Sequence, residues 1–116
     1  MKVELTRFKV KPGKSERVTE WMRMLNNHMP AVLLTLEDER MYVEAIFREA
    51  VGPNEFLYWF SVQGEGGTAI QESPHEIDHR HIEFSRECLE PESKVDMITE
   101  VVMLPERVRE AMLREK

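Results

Sequence analysis

The second half of the chain carries a histidine and an aspartate whose spacing could support acid–base chemistry. Asp78 and His81 are three residues apart, so in a helix their side chains can meet across one turn. A carboxylate next to an imidazole can fix its tautomer, and a histidine held in this way suits general acid–base catalysis near neutral pH. The same pattern also fits a core histidine whose ring nitrogen is satisfied by Asp78 or by a backbone carbonyl. Both interpretations remain open at the level of sequence.

Four more residues are candidates for the same site. Tyr58 alternates with its neighbours on the strand side predicted to face the helices, where its hydroxyl would need a partner such as His81. It is therefore the third predicted catalytic residue. Trp21 and His28 are predicted as pocket walls, and Glu65, in a glycine-rich loop, as a carboxylate at the pocket mouth. Core packing is the alternative for Tyr58, Trp21 and His28, and a solvated loop position is the alternative for Glu65.

Metal and cofactor signals are weak. His75 and His79 are four residues apart and would share a helix face, but no cysteine pair or third ligand accompanies them. The run 64–67, Gly-Glu-Gly-Gly, lacks the lysine of a phosphate-binding loop. Cys88 is the only cysteine and lies on an apolar helical arc, which is typical of an inert core thiol. We therefore expect neither a metal nor a cofactor.

Composition bounds the class of protein that has to position these residues. A length of 116 residues fits one domain, 1–116, and 41% hydrophobic with 33% charged residues indicates a globular chain. The net charge of −6 and the dispersed basic residues argue against nucleic-acid binding. No apolar run approaches the ~18 residues of a membrane span. A lone cysteine and the lack of a signal-like apolar start favour the cytoplasm.

The first half of the chain predicts a strand, a helical region and a hairpin. Residues 2–10 have strand character, and from Ser15 the apolar positions recur at about 100° per residue. Pro30 should kink this helix, or sit in the first turn of a second helix that begins near Met29. Residues 40–50 and 55–63 alternate as strands and are joined by a Gly-Pro-Asn turn.

The second half predicts a helix, a strand and a short terminal helix. Ser73, Pro74 and Glu76 form a capping-box pattern for a helix that runs to about Leu89. Residues 94–103 read as the last strand, and Pro105 begins the C-terminal helix. The order βαββαβ predicts an α+β fold, a ferredoxin-like antiparallel sheet with both helices on one face. The opposite, half-apolar face is expected to be covered by a second copy, as a homodimer. Its predicted members include Glu44, Ile46, Trp59, Ile98 and Val102.

Two stretches resemble known families. The first strand followed by Val10-Lys11-Pro12-Gly13-Lys14 and an amphipathic helix resembles the opening of antibiotic-biosynthesis-monooxygenase-like domains, which are dimeric α+β barrels. The stretch 58–66, with Glu76-Ile77-Asp78 and His81 downstream, resembles a bacterial family of unknown function over nearly the whole chain. The resemblance implies a dimeric α+β barrel. It implies no single activity, because that superfamily includes cofactor-free monooxygenases, haem-binding proteins, isomerases and sugar mutarotases.

Three hypotheses about function follow. In the first, a pocket between helices and sheet binds or transforms a small molecule without a cofactor. In the second, the chain is a non-catalytic dimeric binding or structural module. In the third, it is a haem or metal protein. An open pocket that reaches His81 would favour the first, a filled core around it the second, and bound iron or zinc the third. Whether the chain is an enzyme stays open here.

Overall fold

The predicted α+β architecture is confirmed. A computed structural model describes residues 1–67, 70 and 73–114. Each pair of neighbouring strands in the sheet is antiparallel, and the spatial order β2-β3-β1-β4 is that of a ferredoxin-like fold. The elements in chain order are β1 (Lys2–Lys9), α1 (Ser15–Asn27), α2 (Met29–Asp38), β2 (Met41–Val51), β3 (Asn54–Gln63), α3 (Glu76–Cys88), a 3₁₀ turn (Pro91–Ser93), β4 (Val95–Asp96) and α4 (Glu106–Leu113).

Pro30 divides the first helical region into two helices. The backbone N–H of His28 bonds to the carbonyls of Met24 and Leu25, which ends α1. Helix α2 then begins at Met29 with Pro30 in its first turn, where a missing N–H costs nothing. Of the two predicted outcomes, a second helix near Met29 is therefore the correct one.

The hairpin of β2 and β3 forms as expected but contains an irregularity. Val51 pairs with Asn54 across a turn in which Gly52 has a φ of +58°, a left-handed conformation that glycine tolerates. Near the other end, the register shifts between Met41 and Val43. A shift of one residue exchanges the two faces of a strand, so it changes which β2 side chains face the helices.

The assignment of sheet faces in the sequence analysis was wrong. Leu57 is fully buried against the helices, and Trp59 and Ile46 pack on the same core. Tyr58 points to the opposite face. Both faces of β3 carry large apolar side chains, so alternation alone could not decide which face is inside. The buried core consists of Val10, Val18, Trp21, Met24, Leu57, Ile77, Cys88 and Leu89.

Helix α3 begins two residues later than the capping pattern predicts. The Ser73 hydroxyl accepts a hydrogen bond from the backbone N–H of His75 at 3.1 Å, and His75 itself is extended, with φ −78° and ψ 129°. Ser73 thus closes a local turn before the helix instead of capping it. Pro74 lies outside the helix, which starts at Glu76.

The last strand is much shorter than predicted. Only Val95–Asp96 pair regularly with β1, although Met97 N–H still bonds to the Leu5 carbonyl at 2.9 Å. Asp96 lies opposite Thr6, and β1 continues beyond that pair to Lys2, so regular pairing stops while partner residues remain along β1. We call the chain that follows, residues 97–113, the C-terminal arm. Its side chains include Ile98 and Met103, which are 83% and 85% exposed.

The described helices are too short or too polar to cross a membrane. The longest have 13 residues, whereas a bilayer needs ~20 consecutive apolar residues.

Candidate active site

His81 forms part of the wall between two cavities on the helix side of the sheet. The outer cavity has a volume of about 420 Å³, and the inner cavity about 40 Å³. Ile70 also lines both. The outer cavity lies in the ~300–1,000 Å³ range typical of small-molecule sites, whereas the inner one has room for a water molecule. An open space therefore reaches His81, as the small-molecule hypothesis requires.

The tautomer of His81 is set by a tryptophan. The indole Nε1–H of Trp21 donates a hydrogen bond to Nδ1 of His81 at 2.9 Å. Because an indole N–H can only donate, Nδ1 must accept, and neutral His81 carries its proton on Nε2. No described residue accepts a hydrogen bond from Nε2. Within the part of the chain that the structure describes, this Nε2–H is thus available to a ligand.

The surroundings of His81 also keep it uncharged. Burial lowers its pKa to about 4, and the nearby charge of Asp78 opposes that shift only in part. The rings of Trp21 and Trp59 lie 5.3 and 5.8 Å from the imidazole, centroid to centroid. A neutral imidazole that donates from Nε2 can stabilise negative charge on a ligand oxygen without being protonated itself.

Asp78 lies at the site, but not in the role predicted for it. Its side chain is 4% exposed, and its Oδ2 atom has no hydrogen-bond partner among the described residues. The prediction that Asp78 orients the imidazole needs correction, because Trp21 occupies Nδ1. Asp78 acts on His81 through its charge and faces the inner cavity.

The inner cavity brings three carboxyl groups together. Glu39 follows α2, Glu44 comes from β2 and Asp78 from α3. Burial, followed by the charges of Glu44 and Asp78, raises the pKa of Glu39 to about 7. Burial and the charge of Asp78 also raise the pKa of Glu44. Glu39 therefore keeps its proton to a higher pH than an exposed glutamate does.

The outer cavity combines an aromatic platform with polar groups. Its floor is a ladder of paired residues from β1 and β3: Glu4 lies opposite Ser61, and Thr6 lies opposite Trp59. Apolar surface with a few placed polar groups is the usual lining of a ligand site. The remaining lining residues are Phe8, Ile70, His81, Ile82, Ser85, Arg86, Leu89 and Lys94.

The other predicted site residues do not line the outer cavity. The Tyr58 hydroxyl donates to Glu49 at 2.6 Å on the opposite face of the sheet, so it does not meet His81. Trp21 is wholly buried and reaches the site only through its N–H. His28 is exposed at the α1–α2 junction, where Nδ1–H bonds to a backbone carbonyl at 2.8 Å. Glu65 is an exposed loop residue.

His75 and His79 are each engaged elsewhere. Nε2 of His75 lies 2.7 Å from a carboxylate oxygen of Asp38, and Nε2–H of His79 donates to the Ser73 carbonyl at 2.8 Å. Across residues 1–67, 70 and 73–114, no cluster of three potential ligands is arranged to hold a metal ion.

A comparison with protein families assigns the chain to one of them. A model described as a family of unknown function (DUF6176) matches residues 1–110. The chain belongs to this family. The expected kinship with a family of unknown function over nearly the whole chain is thus confirmed. No curated protein matches this DUF6176 member.

A solved structure shares the fold of this DUF6176 member. It is the L-rhamnose mutarotase FA22100 from Formosa agariphila, which is 17% identical, with a TM-score of 0.52. The match covers 91% of this chain and 100% of that one. At this identity the likeness establishes the fold alone.

Sequence reasoning missed two kinds of residue in the DUF6176 site. Glu4, Thr6 and Ser61 are polar side chains on the helix-facing side of the sheet. The alternation of Glu4 and Thr6 with apolar residues in β1 was a usable signal once that side was known. Trp21 pairs with a histidine 60 residues away, for which the sequence holds no local signal.

Proposed function

We propose that this chain is a cofactor-free enzyme that moves protons on a small polar molecule with a carbonyl or hemiacetal group. The reaction best supported is the interconversion of sugar anomers. The observation that carries the proposal is the hydrogen bond from Trp21 to His81, because it leaves a neutral Nε2–H donor beside a cavity of about 420 Å³. The shared fold with an L-rhamnose mutarotase supports the choice of reaction.

The sugar would lie on the ladder of β1 and β3. The indole face of Trp59 suits the apolar face of a pyranose, and the hydroxyls of Ser61 and Ser85 can exchange hydrogen bonds with its hydroxyl groups. The Thr6 hydroxyl donates to Asp96 at 3.0 Å and can still accept a hydrogen bond from the sugar. This combination fixes orientation and requires no net charge on the sugar ring.

The chemical step needs one proton carrier and one oxyanion donor. The Glu4 carboxylate accepts the proton of the anomeric hydroxyl as the ring C–O bond breaks and the carbonyl forms. The Nε2–H of His81 stabilises the negative charge that develops on the ring oxygen. Glu4 then returns the proton to that oxygen. Closure on the other carbonyl face reverses these steps and gives the other anomer, so protons balance.

Anomer exchange in L-rhamnose and a panel of other aldoses, measured by NMR magnetisation transfer, tests the proposal. We expect the protein to accelerate exchange of at least one aldose. His81→Gln, which loses the oriented N–H, should lower that acceleration at least ~10-fold, the effect expected from one oxyanion donor. Glu4→Gln should lower it similarly, because the proton carrier is lost.

His28→Gln is the matched control, since His28 is exposed and lies away from both cavities. It should retain full exchange activity. Saturable binding without faster exchange would instead favour a non-catalytic binding module. Equal activity in His81→Gln and the native chain would contradict the mechanism.

A homodimer is proposed for the open face of the sheet. Phe47 and Val51 on this face are 58% and 49% exposed, and the C-terminal arm adds Ile98 at 83%. Helix α4 of the arm buries no residue in its own chain. An apolar face and an apolar arm that lack cover in one chain are typical of surfaces covered on association.

Light scattering at micromolar concentration should give twice the mass of one chain. Phe47→Glu should shift the distribution to monomer, because it would place two charges in the shared interface. Glu37→Lys on the exposed side of α2 is the control for a change of surface charge. A native chain that scatters as a monomer would refute the dimer.

A further inference from the structure

The outer cavity contains two cationic side chains that lack strong partners. Among the described residues, nothing bonds to the guanidinium of Arg86, and the carboxylate of Asp96 is 3.9 Å from Lys94 Nζ. Two other arginines are paired: Arg17 bonds to Glu87 at 2.9 Å, and Arg48 bonds to Glu55 at 2.7 Å. Arg86 is exposed and, among the described residues, leaves its charge available to a ligand of the cavity.

The helix dipole can explain why Arg86 lies at the end of α3, but it cannot explain the position of Lys94. A basic residue in the last turn of a helix interacts favourably with the helix dipole. Lys94, however, follows the 3₁₀ turn and belongs to no helix. Two separate elements thus bring a cation to one cavity.

The sheet register separates these cations from the carboxylate of the cavity. Asp96 pairs with Thr6 and Val95 with Arg7, so Lys94 lies level with Phe8. Glu4 is four residues along β1 from Phe8, about 13 Å at ~3.3 Å per residue. Lys11 Nζ also bonds to the Arg86 carbonyl at 2.9 Å, which holds the end of α3 near the end of β1. Arg86 and Lys94 therefore lie toward one end of the cavity, which we call the basic end, and Glu4, which pairs with Lys2 Nζ at 3.3 Å, lies toward the other.

We propose that the ligand carries a carboxylate or phosphate group at the basic end, held by Arg86 and Lys94, so that the substrate class is a sugar acid or a sugar phosphate. A guanidinium binds such oxyanions through two parallel hydrogen bonds, and an ammonium adds a second positive charge. The Ser85 hydroxyl next to Arg86 can donate a third bond. This proposal rests on the proposed function, because the hemiacetal would then lie toward Glu4 and His81.

NMR titrations with three probes test it: D-glucose 6-phosphate, D-glucuronate and neutral D-glucose. We expect at least one anionic probe to bind ~10-fold more tightly than glucose, with shifts at the Arg86 side-chain Nε–H, and more weakly at high salt. The phosphate and the carboxylate probes separate the two sources of the anion. Arg86→Gln should reduce binding of that anionic probe to the level of glucose.

Arg80→Gln is the matched control, because Arg80 lies on the same helix but does not line the outer cavity. It should leave all three affinities unchanged. If glucose binds as tightly as both anions and Arg86→Gln changes nothing, the anion proposal falls while the proposed function stands. If inorganic phosphate at millimolar concentration also leaves the Arg86 Nε–H resonance unmoved, the basic end is not an anion site. The failure of the proposed function is distinct, since it would appear as absent anomer exchange in every aldose.

Discussion

Trp21→Ala should destabilise the fold by about 3–5 kcal/mol, the range for removing a large aromatic side chain from a core. Trp21 is fully buried, and its ring packs on Trp59 and Phe84, with centroids 5.4 and 6.2 Å away. The variant also deprives Nδ1 of His81 of its donor. Chemical denaturation would measure the loss, and a value below about 1 kcal/mol would contradict the packing described here.

Trp21→Phe separates the role of the N–H from that of the ring. The loss of one hydrogen bond to a buried acceptor should cost about 1–3 kcal/mol. It should also raise the pKa of His81 above about 4, because a donor to Nδ1 favours the neutral ring, while burial continues to hold that pKa below 6.5. An NMR titration of the imidazole would show the shift.

Trp59→Phe is the matched control for Trp21→Phe. It shortens a neighbouring indole in the same cluster but leaves the bond between Trp21 and His81 in place. If both variants move the pKa of His81 equally, burial and not the Trp21 N–H keeps the imidazole uncharged.

Glu39→Gln should stabilise the protein above pH 7 and leave it nearly unchanged near pH 4.5. The folded state raises the pKa of Glu39 from 4.5 to about 7, so stability is lost as pH rises through this window. Glutamine stays neutral and avoids that loss. The gain at pH 8 should be about 1–2 kcal/mol once solvent screening of a partly exposed group is allowed for.

The dependence of the free energy of unfolding on pH gives a second test of Glu39→Gln, because the contribution of His81 rises with pH whereas that of Glu39 falls. Its pKa is lowered from 6.5 to about 4, so its contribution to stability is present above pH 6.5 and is lost as pH falls toward 4. In the native chain, Glu39 and His81 partly cancel between pH 4.5 and 6.5. Glu39→Gln should therefore expose a steep rise in stability across that range.

Glu37→Gln, on the exposed side of α2, is the control for removing one negative charge. Urea denaturation at pH 4.5, 6.5 and 8 would compare the three proteins. A Glu39→Gln profile parallel to that of the native chain would show that the inner carboxyl groups are not coupled to folding.

Local signals were sufficient to predict most of the elements. Pro30 after a helical arc predicted the break between α1 and α2, and the Gly-Pro-Asn turn predicted the hairpin, because both depend on backbone preferences of a few residues. Residues 94–103 have strand composition as well, but only Val95 and Asp96 pair regularly with β1, although β1 continues to Lys2. Strand length is a property of the pair, which one segment cannot reveal.

The candidate site was predictable only in part. His81 stands out because it lies on an apolar arc, and it does border a cavity. Its partners depend on which sheet face packs against the helices, and Leu57 and Tyr58 are both plausible inward residues by composition. Choosing the wrong face put Tyr58 in the site and left Glu4 and Ser61 out of it.

The burial of the only thiol makes its rate of chemical labelling a measure of how often the fold opens. Cys88 is wholly enclosed in the core, and burial raises its pKa, so a thiol reagent cannot label it in the native state. The reagent can reach Cys88 only when α3 detaches from the core or when the whole chain unfolds. At high reagent concentration the labelling rate equals the opening rate, and at low concentration it reports the equilibrium between closed and open forms. Helix α3 forms part of the wall of the outer cavity. A ligand bound there should therefore lower the rate at which Cys88 is labelled.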